Sequence, residues 1–140
     1  MAYRAVVDIP RAREAVWGVL TDGSVWAEWW EGPIAAVDPG WGLDGTVTWG
    51  DGGTATIAAF DDAERLELVS EASGTRWIFQ LAGAPGGGTR FIFVEDFSDS
   101  TVKIARREEK LAQNEARGAR FRDAVLGRTE PAPKWWKFWK

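Results

Sequence analysis

The sequence predicts an α+β fold in which an antiparallel sheet packs against a long C-terminal helix. Three observations predict it. A β-rich segment opens the chain, and two short stripes of apolar residues at helical spacing follow it. From Ile34 to Phe97 the chain is a run of short strands separated by glycine, with no helical pattern between them. Residues Thr101 to Leu126 then form one long charged helix, which Gly127 ends.

The first strand and two short helices set the order of the elements. Tyr3 to Ile9 are rich in strand formers, and Pro10 suits the first turn of a helix, where its missing N–H costs nothing. The apolar stripe of the first helix consists of Ala15, Val16, Val19 and Leu20. Asp22-Gly23 ends this helix, and Ser24 is a candidate N-cap for the next. The second helix repeats the same spacing with Val25, Trp26, Trp29 and Trp30.

Glycine-containing turns divide the middle of the chain into six strands, near 34–38, 45–50, 54–60, 64–72, 75–82 and 88–97. A two-residue turn at Ser73-Gly74 pairs Leu68 with Phe79, and a loop centred on Pro85 pairs Phe79 with Phe91. Strand residues alternate between the two faces of a sheet. One face therefore carries Leu66, Leu68, Trp77, Phe79, Leu81, Phe91, Phe93 and Glu95, and we expect the long helix to cover it.

This succession of elements, with the segment Trp29-Trp30-Glu31-Gly32-Pro33, resembles the START-related helix-grip (SRPBCC) superfamily over residues 3–126. Within it the chain is most similar to the polyketide cyclase/dehydrase and lipid-transport family, and also to the family of the activator of the heat-shock ATPase. The resemblance implies a helix-grip fold, with a curved antiparallel sheet wrapped around the long C-terminal helix. It assigns residues 1–127 to one domain. It also implies an apolar cavity for lipids, polyketides or other hydrophobic molecules, where some members catalyse cyclisation or dehydration.

The long helix has a thin apolar side made of small residues. The pattern has two interpretations: a surface helix of modest stability, or a helix held off the sheet by a cavity. In the second, the cavity is lined by Trp49, Trp77, Phe79, Phe91, Phe93 and Leu68 of the sheet and by Ala112, Ala116 and Ala119 of the helix. Aromatic walls of this kind bind flat apolar ligands. For Trp77, simple core packing is an equally good interpretation.

Composition excludes several classes of function. The 140 residues include no cysteine and no histidine, which removes disulfides, thiolate nucleophiles and the commonest metal ligand and general base. We therefore expect no metal and no cofactor. The formal net charge of −4 argues against nucleic acid as a partner. The chain has neither a signal-peptide pattern nor an apolar run long enough to span a bilayer, so we expect a cytoplasmic protein.

Glu95 is the candidate catalytic residue, because it is the one acid on the aromatic face. A carboxylate at such a position is either solvated at the cavity mouth or buried with a raised pKa. In a chain without histidine, a buried carboxylate is the best available general base. The alternative is that Glu95 lies at the end of its strand and meets only water or an arginine of the long helix. Glu28 and Glu31, beside the tryptophan helix, are candidates for the cavity entrance.

Residues 128–140 form a separate basic and aromatic tail. Pro131-Ala132-Pro133 is a stiff spacer, and the last seven residues, Lys134 to Lys140, alternate cations with aromatic rings. Such a segment contacts a membrane interface or a partner, packs on its own domain, or is an appended sequence. A homodimer is left open.

The sequence is compatible with three functions. The first is binding of a hydrophobic, aromatic or polycyclic small molecule or lipid. The second is a cyclase or dehydratase that uses Glu95 as base. The third is a co-chaperone-like interaction domain. The absence of histidine favours binding over catalysis, and the ligand itself is not identified by the sequence.

Overall fold

A computed structural model describes residues 2–97 and 106–129. Strand β1 (Ala2–Ile9) is followed by helix α1 (Arg13–Leu20), a single 3-10 turn (Gly23–Val25) and the short helix α2 (Trp26–Trp29). Six strands come next, and one long helix closes the order. The strands are β2 (Ile34–Asp38), β3 (Thr46–Trp49), β4 (Thr54–Asp61), β5 (Arg65–Ser70), β6 (Arg76–Gly83) and β7 (Thr89–Asp96), and the helix is α3 (Arg107–Arg128).

All seven strands form one antiparallel sheet in the order β1-β7-β6-β5-β4-β3-β2. The six later strands form a meander, and β1 returns to pair with β7, the last of them. Helix α3 packs mainly across β1 and α2, with further contacts to α1 and β7. The predicted α+β helix-grip fold is confirmed, and each predicted strand is present within a few residues of its predicted bounds. Helix α3 ends at Arg128, so Gly127 lies within it and does not end it as predicted. The first residues of the predicted helix, 101–105, and residues 130–140 of the tail lie outside the described residues.

The register of the last three strands differs from the prediction by two residues. Leu68 lies opposite Trp77, and Phe79 lies opposite Phe93. The reason is the length of the turns. The turn between β5 and β6 has four residues, 71–74, and the Gly74 N–H donates to the Ser70 carbonyl at 2.8 Å. The loop between β6 and β7 is centred on Gly86 rather than Pro85. A shift of two leaves every side chain on its predicted face. The shared aromatic face is therefore confirmed.

The inner face of α3 is not the predicted alanine stripe. Its buried residues are Asn114, Arg117, Gly118, Phe121, Ala124 and Val125. Ala112 and Ala119 are exposed and Ala116 is half-buried, because at 3.6 residues per turn the three alanines point roughly 180° away from this buried stripe. The prediction that Ala112, Ala116 and Ala119 face the sheet is wrong.

Aromatic rings fill the described space between sheet and helices. Phe121 of α3 contacts Phe91 with ring centroids 4.4 Å apart and Trp29 at 4.8 Å, and Phe79 stacks on Phe93 at 5.1 Å. Trp26 is fully buried beside them, and its indole N–H donates to the Leu20 carbonyl at 2.8 Å. This packing fixes α1 and α2 on the sheet. Asp22, rather than Ser24, caps the turn before α2 by accepting from the Ser24 N–H.

Candidate functional site

One open pocket of about 480 Å³ lies at the end of the sheet beside α2. Four segments build it: the loop after α2, the β3–β4 turn, the start of β6 and the middle of α3. The lining residues are Trp30, Glu31, Gly32, Pro33, Trp49, Gly50, Asp51, Trp77 and Arg117. Gly50 and Pro33 are in close contact at the rim of the pocket, because a Cβ added at Gly50 would lie 2.8 Å from the Pro33 ring.

Three tryptophans, Trp30, Trp49 and Trp77, form the aromatic wall of this pocket; we refer to them as the tryptophan corner. Trp30 and Trp49 are nearly parallel, at 18° with centroids 6.1 Å apart. Trp77 stands perpendicular to both, with centroids 5.7 Å from Trp30 and 5.8 Å from Trp49. Edge-to-face contacts of this kind hold aromatic rings in fixed orientations. Trp30 is buried, whereas Trp49 and Trp77 are half-buried.

Arg117 extends from α3 to the tryptophan corner. Its guanidinium carbon lies 4.4 Å from the centroid of the Trp30 ring, which is cation–π geometry. Its Nη1 donates to Glu95 Oε2 at 3.2 Å and to Asn114 Oδ1 at 2.9 Å, while its Nε donates to Glu31 Oε1 at 2.6 Å. The Arg117 side chain is 6 % exposed. This one cation is therefore shared between two carboxylates.

Glu95 lies behind the wall of the pocket rather than in it. Its side chain is 4 % exposed, and Oε2 accepts from the Trp77 indole N–H at 3.0 Å and from Arg117. Its other oxygen, Oε1, is buried and has no hydrogen-bond partner among the described residues. Glu95 therefore meets an arginine of the long helix, as one of the two interpretations predicted, but its carboxylate is buried and not solvated.

The predicted ligand-binding residues fall into three groups. Trp49 and Trp77 line the pocket. Phe79, Phe91, Phe93 and Leu68 are at most 1 % exposed and belong to the close-packed core. Ala112, Ala116 and Ala119 lie on the far face of α3.

Three pocket residues, Trp30, Asp51 and Arg117, were not among the predicted ligand-binding residues. The signal for Arg117 was present, because Phe121 and Val125 define a helical stripe that continues back through Arg117, Gly118 and Asn114.

The pocket combines aromatic surface with a negative balance of charge. Of the described residues in its wall, Glu31 and Asp51 are acids and Arg117 is the cation. Within the described ranges, no group of three or more acidic side chains is arranged to hold a metal ion. No helix within 2–97 or 106–129 has the length and apolar character needed to cross a membrane.

Comparison with known proteins supports the fold. No protein-family model matches the chain, and no curated protein matches it. Solved structures are similar over nearly the whole chain. The Aha1 dimer from Colwellia psychrerythraea is 16 % identical with a TM-score of 0.71, covering 92 % of this chain and 99 % of that one. An AHSA1-like protein from Aeromonas hydrophila is 20 % identical with a TM-score of 0.63, covering 91 % and 93 %.

DynU16, a protein of the dynemicin biosynthetic locus, is also similar, with 18 % identity and a TM-score of 0.69. The match covers 93 % of this chain and 48 % of DynU16. At these identities the likeness is one of fold. The chain has the helix-grip fold that its sequence predicts, and its structural neighbours include Aha1-like proteins and DynU16.

Proposed function

We propose that this domain binds a flat, hydrophobic small molecule at the tryptophan corner. The observation that carries the proposal is the position of Trp49 and Trp77, two half-buried indoles that line an open pocket instead of completing the core. At such a site the indole rings expose apolar surface to water, and a flat ligand would cover that surface. The pocket volume of about 480 Å³ lies within the range of small-molecule sites.

The structural neighbours support this proposal without deciding the ligand. DynU16 belongs to a biosynthetic locus, and the superfamily that the sequence resembles implies a site for hydrophobic molecules. The Colwellia protein is a dimer, and we extend the proposal to a homodimer of this chain, to be checked by light scattering. The co-chaperone role stays a prediction.

Native mass spectrometry of the purified protein, followed by titration with naphthylmethanol, tests the proposal. Trp49→Ala should lose most of the binding, because it removes one wall of the pocket. Trp41→Ala is the matched control, since Trp41 is also a half-buried tryptophan, but it stacks on Trp26 and is not in the pocket wall. Equal affinity in the wild type and in Trp49→Ala, or equal loss in both variants, would contradict the proposal.

An enzyme with Glu95 as general base is the second candidate, and the free oxygen Oε1 favours it. Arg117 and Trp77 both donate to Oε2, so Oε1 is the atom that could accept a proton. If a substrate is found, Glu95→Gln should lower the rate about 100-fold, more than it lowers substrate affinity. Full activity in this variant would remove Glu95 from the mechanism.

A further inference from the structure

The charges around the tryptophan corner do not cancel. Glu95 and Glu31 both bond to Arg117, so two carboxylates share one guanidinium, and Asp51 adds a second acid to the pocket wall. Formally the four groups sum to −2. Lys110 lies two turns before Arg117 on α3. It donates to Gln113, and among the described contacts it is linked to Glu31 through the Gln113 amide. The described surroundings of the pocket therefore leave negative charge beside aromatic rings.

We propose that the ligand of this pocket is a cation: a flat aromatic body that carries an ammonium or similar positive group. The inference rests on the proposed function and specifies its ligand. Indole is the best of the aromatic side chains at attracting a cation to its face, and nearby carboxylates strengthen the attraction where water is partly excluded. The tryptophan corner supplies the rings, and Glu31 and Asp51 supply the carboxylates.

Glu31 is the acid that would receive the positive group. Its side chain is 45 % exposed, against 4 % for Glu95, so it faces the ligand while Glu95 stays behind the wall. Glu95 already holds Arg117 in place. Glu31 can therefore turn from Arg117 to a ligand cation and leave the guanidinium paired. The unpartnered Oε1 of Glu95 adds to the negative potential at this end of the sheet.

An anionic ligand fits the same pocket poorly. Arg117 is the one cation among the described wall residues, and its Nε and Nη1 already donate to Glu31, Glu95 and Asn114. A ligand carboxylate would have to displace Glu31 and would then lie beside it. Like charges at such short range are unfavourable in a partly desolvated site.

A matched set of probes tests the inference: naphthylmethyl-trimethylammonium, naphthylmethanol and naphthoate, which share one aromatic body and differ in charge. Titrations of the full chain are followed by tryptophan fluorescence at low and high salt. We expect the cation to bind about tenfold more tightly than the alcohol, with naphthoate the weakest. The advantage of the cation over the alcohol should shrink as salt rises.

The matched pair of variants is Glu31→Gln and Glu28→Gln. Both acids belong to the same short segment, have similar exposure (45 % and 48 %) and pair with arginines of α3. Glu28, however, pairs with Arg128, and it is not in the pocket wall. Glu31→Gln should reduce the ratio of cation to alcohol affinity several-fold, and Glu28→Gln should not.

The outcomes separate the two proposals. Equal or tighter binding of naphthylmethanol or naphthoate at the tryptophan corner, with loss in Trp49→Ala, would overturn the cation inference and keep the proposed function. An unchanged affinity ratio in Glu31→Gln would also overturn the inference. Absence of binding by all three probes would contradict the proposed function itself, and with it the inference.

Discussion

Arg117 joins the long helix to two other parts of the molecule through one guanidinium group. It contacts Glu95 on β7 and Glu31 in the loop after α2, and it covers the Trp30 ring. A buried ion pair adds little net stability, but removal of one partner leaves an uncompensated charge in the interior. The Arg117–Glu95 contact is therefore a place where single substitutions have large effects.

Glu95→Gln should lower the free energy of unfolding by about 3 kcal/mol, since it removes the buried partner of Arg117. Glu31→Gln removes the partner that is 45 % exposed and should cost about 1 kcal/mol or less. Urea denaturation of both variants measures the difference. Equal losses would contradict the buried pairing of Glu95 with Arg117.

Glu67 supplies a pH-dependent contribution on the other face of the sheet. Burial raises its pKa, but the hydrogen bonds from Arg65 and Arg76 together outweigh burial, and the pKa lies below the usual value of 4.5. Arg65 and Arg76 contact its two carboxylate oxygens at 3.0 and 2.5 Å. Because the pKa is lowered in the folded state, the stabilisation is complete above pH 4.5 and is lost as the pH falls through the folded-state pKa.

Glu67→Gln should therefore reduce the acid sensitivity of the protein. We expect the free energy of unfolding of the variant to fall less steeply than that of the wild type below pH 4.5. Urea denaturation at a series of acidic pH values measures both slopes. Identical slopes would show that the two arginines do not hold Glu67 in its ionised form.

At the scale of the elements, α3 approaches β1 closely at Gly118. A Cβ added at Gly118 would lie 3.6 Å from Val7 Cγ1, an ordinary van der Waals contact. Glycine inside a helix costs about 1 kcal/mol relative to alanine. Gly118→Ala should therefore raise the free energy of unfolding by up to about 1 kcal/mol in urea denaturation.

Gly18→Ala in α1 is the control for this prediction, because a Cβ there meets nothing within 4 Å. It should give the propensity gain alone. If Gly18→Ala stabilises the protein and Gly118→Ala destabilises it, α3 packs on β1 more tightly than the structure indicates.

The strands were predictable because their signal is local. Ile34–Asp38 has the predicted bounds, and the buried alternation of β7 puts Phe91, Phe93 and Glu95 on the predicted face. Register was not predictable to better than two residues, because turn length is decided by hydrogen bonds such as that from Gly74 to Ser70. Alternation has a period of two, so this error is invisible in the hydrophobic pattern.

The phase of α3 was predicted wrongly, because the small alanines were taken as the inner side in place of the large apolar residues Phe121 and Val125. The predicted inner side was that of Ala112, Ala116 and Ala119, whereas Asn114 and Arg117 are among the buried residues. Long polar side chains are buried only when partners satisfy them. Those partners, Glu95 and Glu31, are distant in sequence, so the contacts that bury Arg117 emerged only from the fold.

At the scale of the whole molecule, the helix-grip fold brings distant segments to one end of the sheet. The loop after α2, the β3–β4 turn, the start of β6 and α3 each contribute one side of the pocket. None of these segments could form the site alone. The close-packed interior supplies rigidity, and the open end supplies the binding surface.

The tail, Lys134–Lys140, stays a prediction of the sequence. Its alternating cations and aromatic rings favour binding to an apolar surface with acidic groups nearby. Seven residues bury too little area to bind a bilayer tightly. We expect it to dock on its own domain or on a second copy. Truncation after Thr129 should therefore lower the melting temperature or dissociate a homodimer into monomers.

Melting, light scattering and binding to anionic vesicles measure the effect of the truncation. Loss of vesicle binding alone would favour membrane contact. No change in any of the three would contradict docking and leave the tail without a role.

The most direct test of the central claim is an NMR titration of the indole N–H signals, because each of the ten tryptophans reports separately. Naphthylmethyl-trimethylammonium is added to the nitrogen-labelled full chain, and signals are assigned with single tryptophan variants. We expect the indole signals of Trp30, Trp49 and Trp77 to shift together with one affinity, while that of Trp17, packed against Phe60, does not shift. Shifts centred on Trp17, or on the tail with none at the tryptophan corner, would contradict this claim.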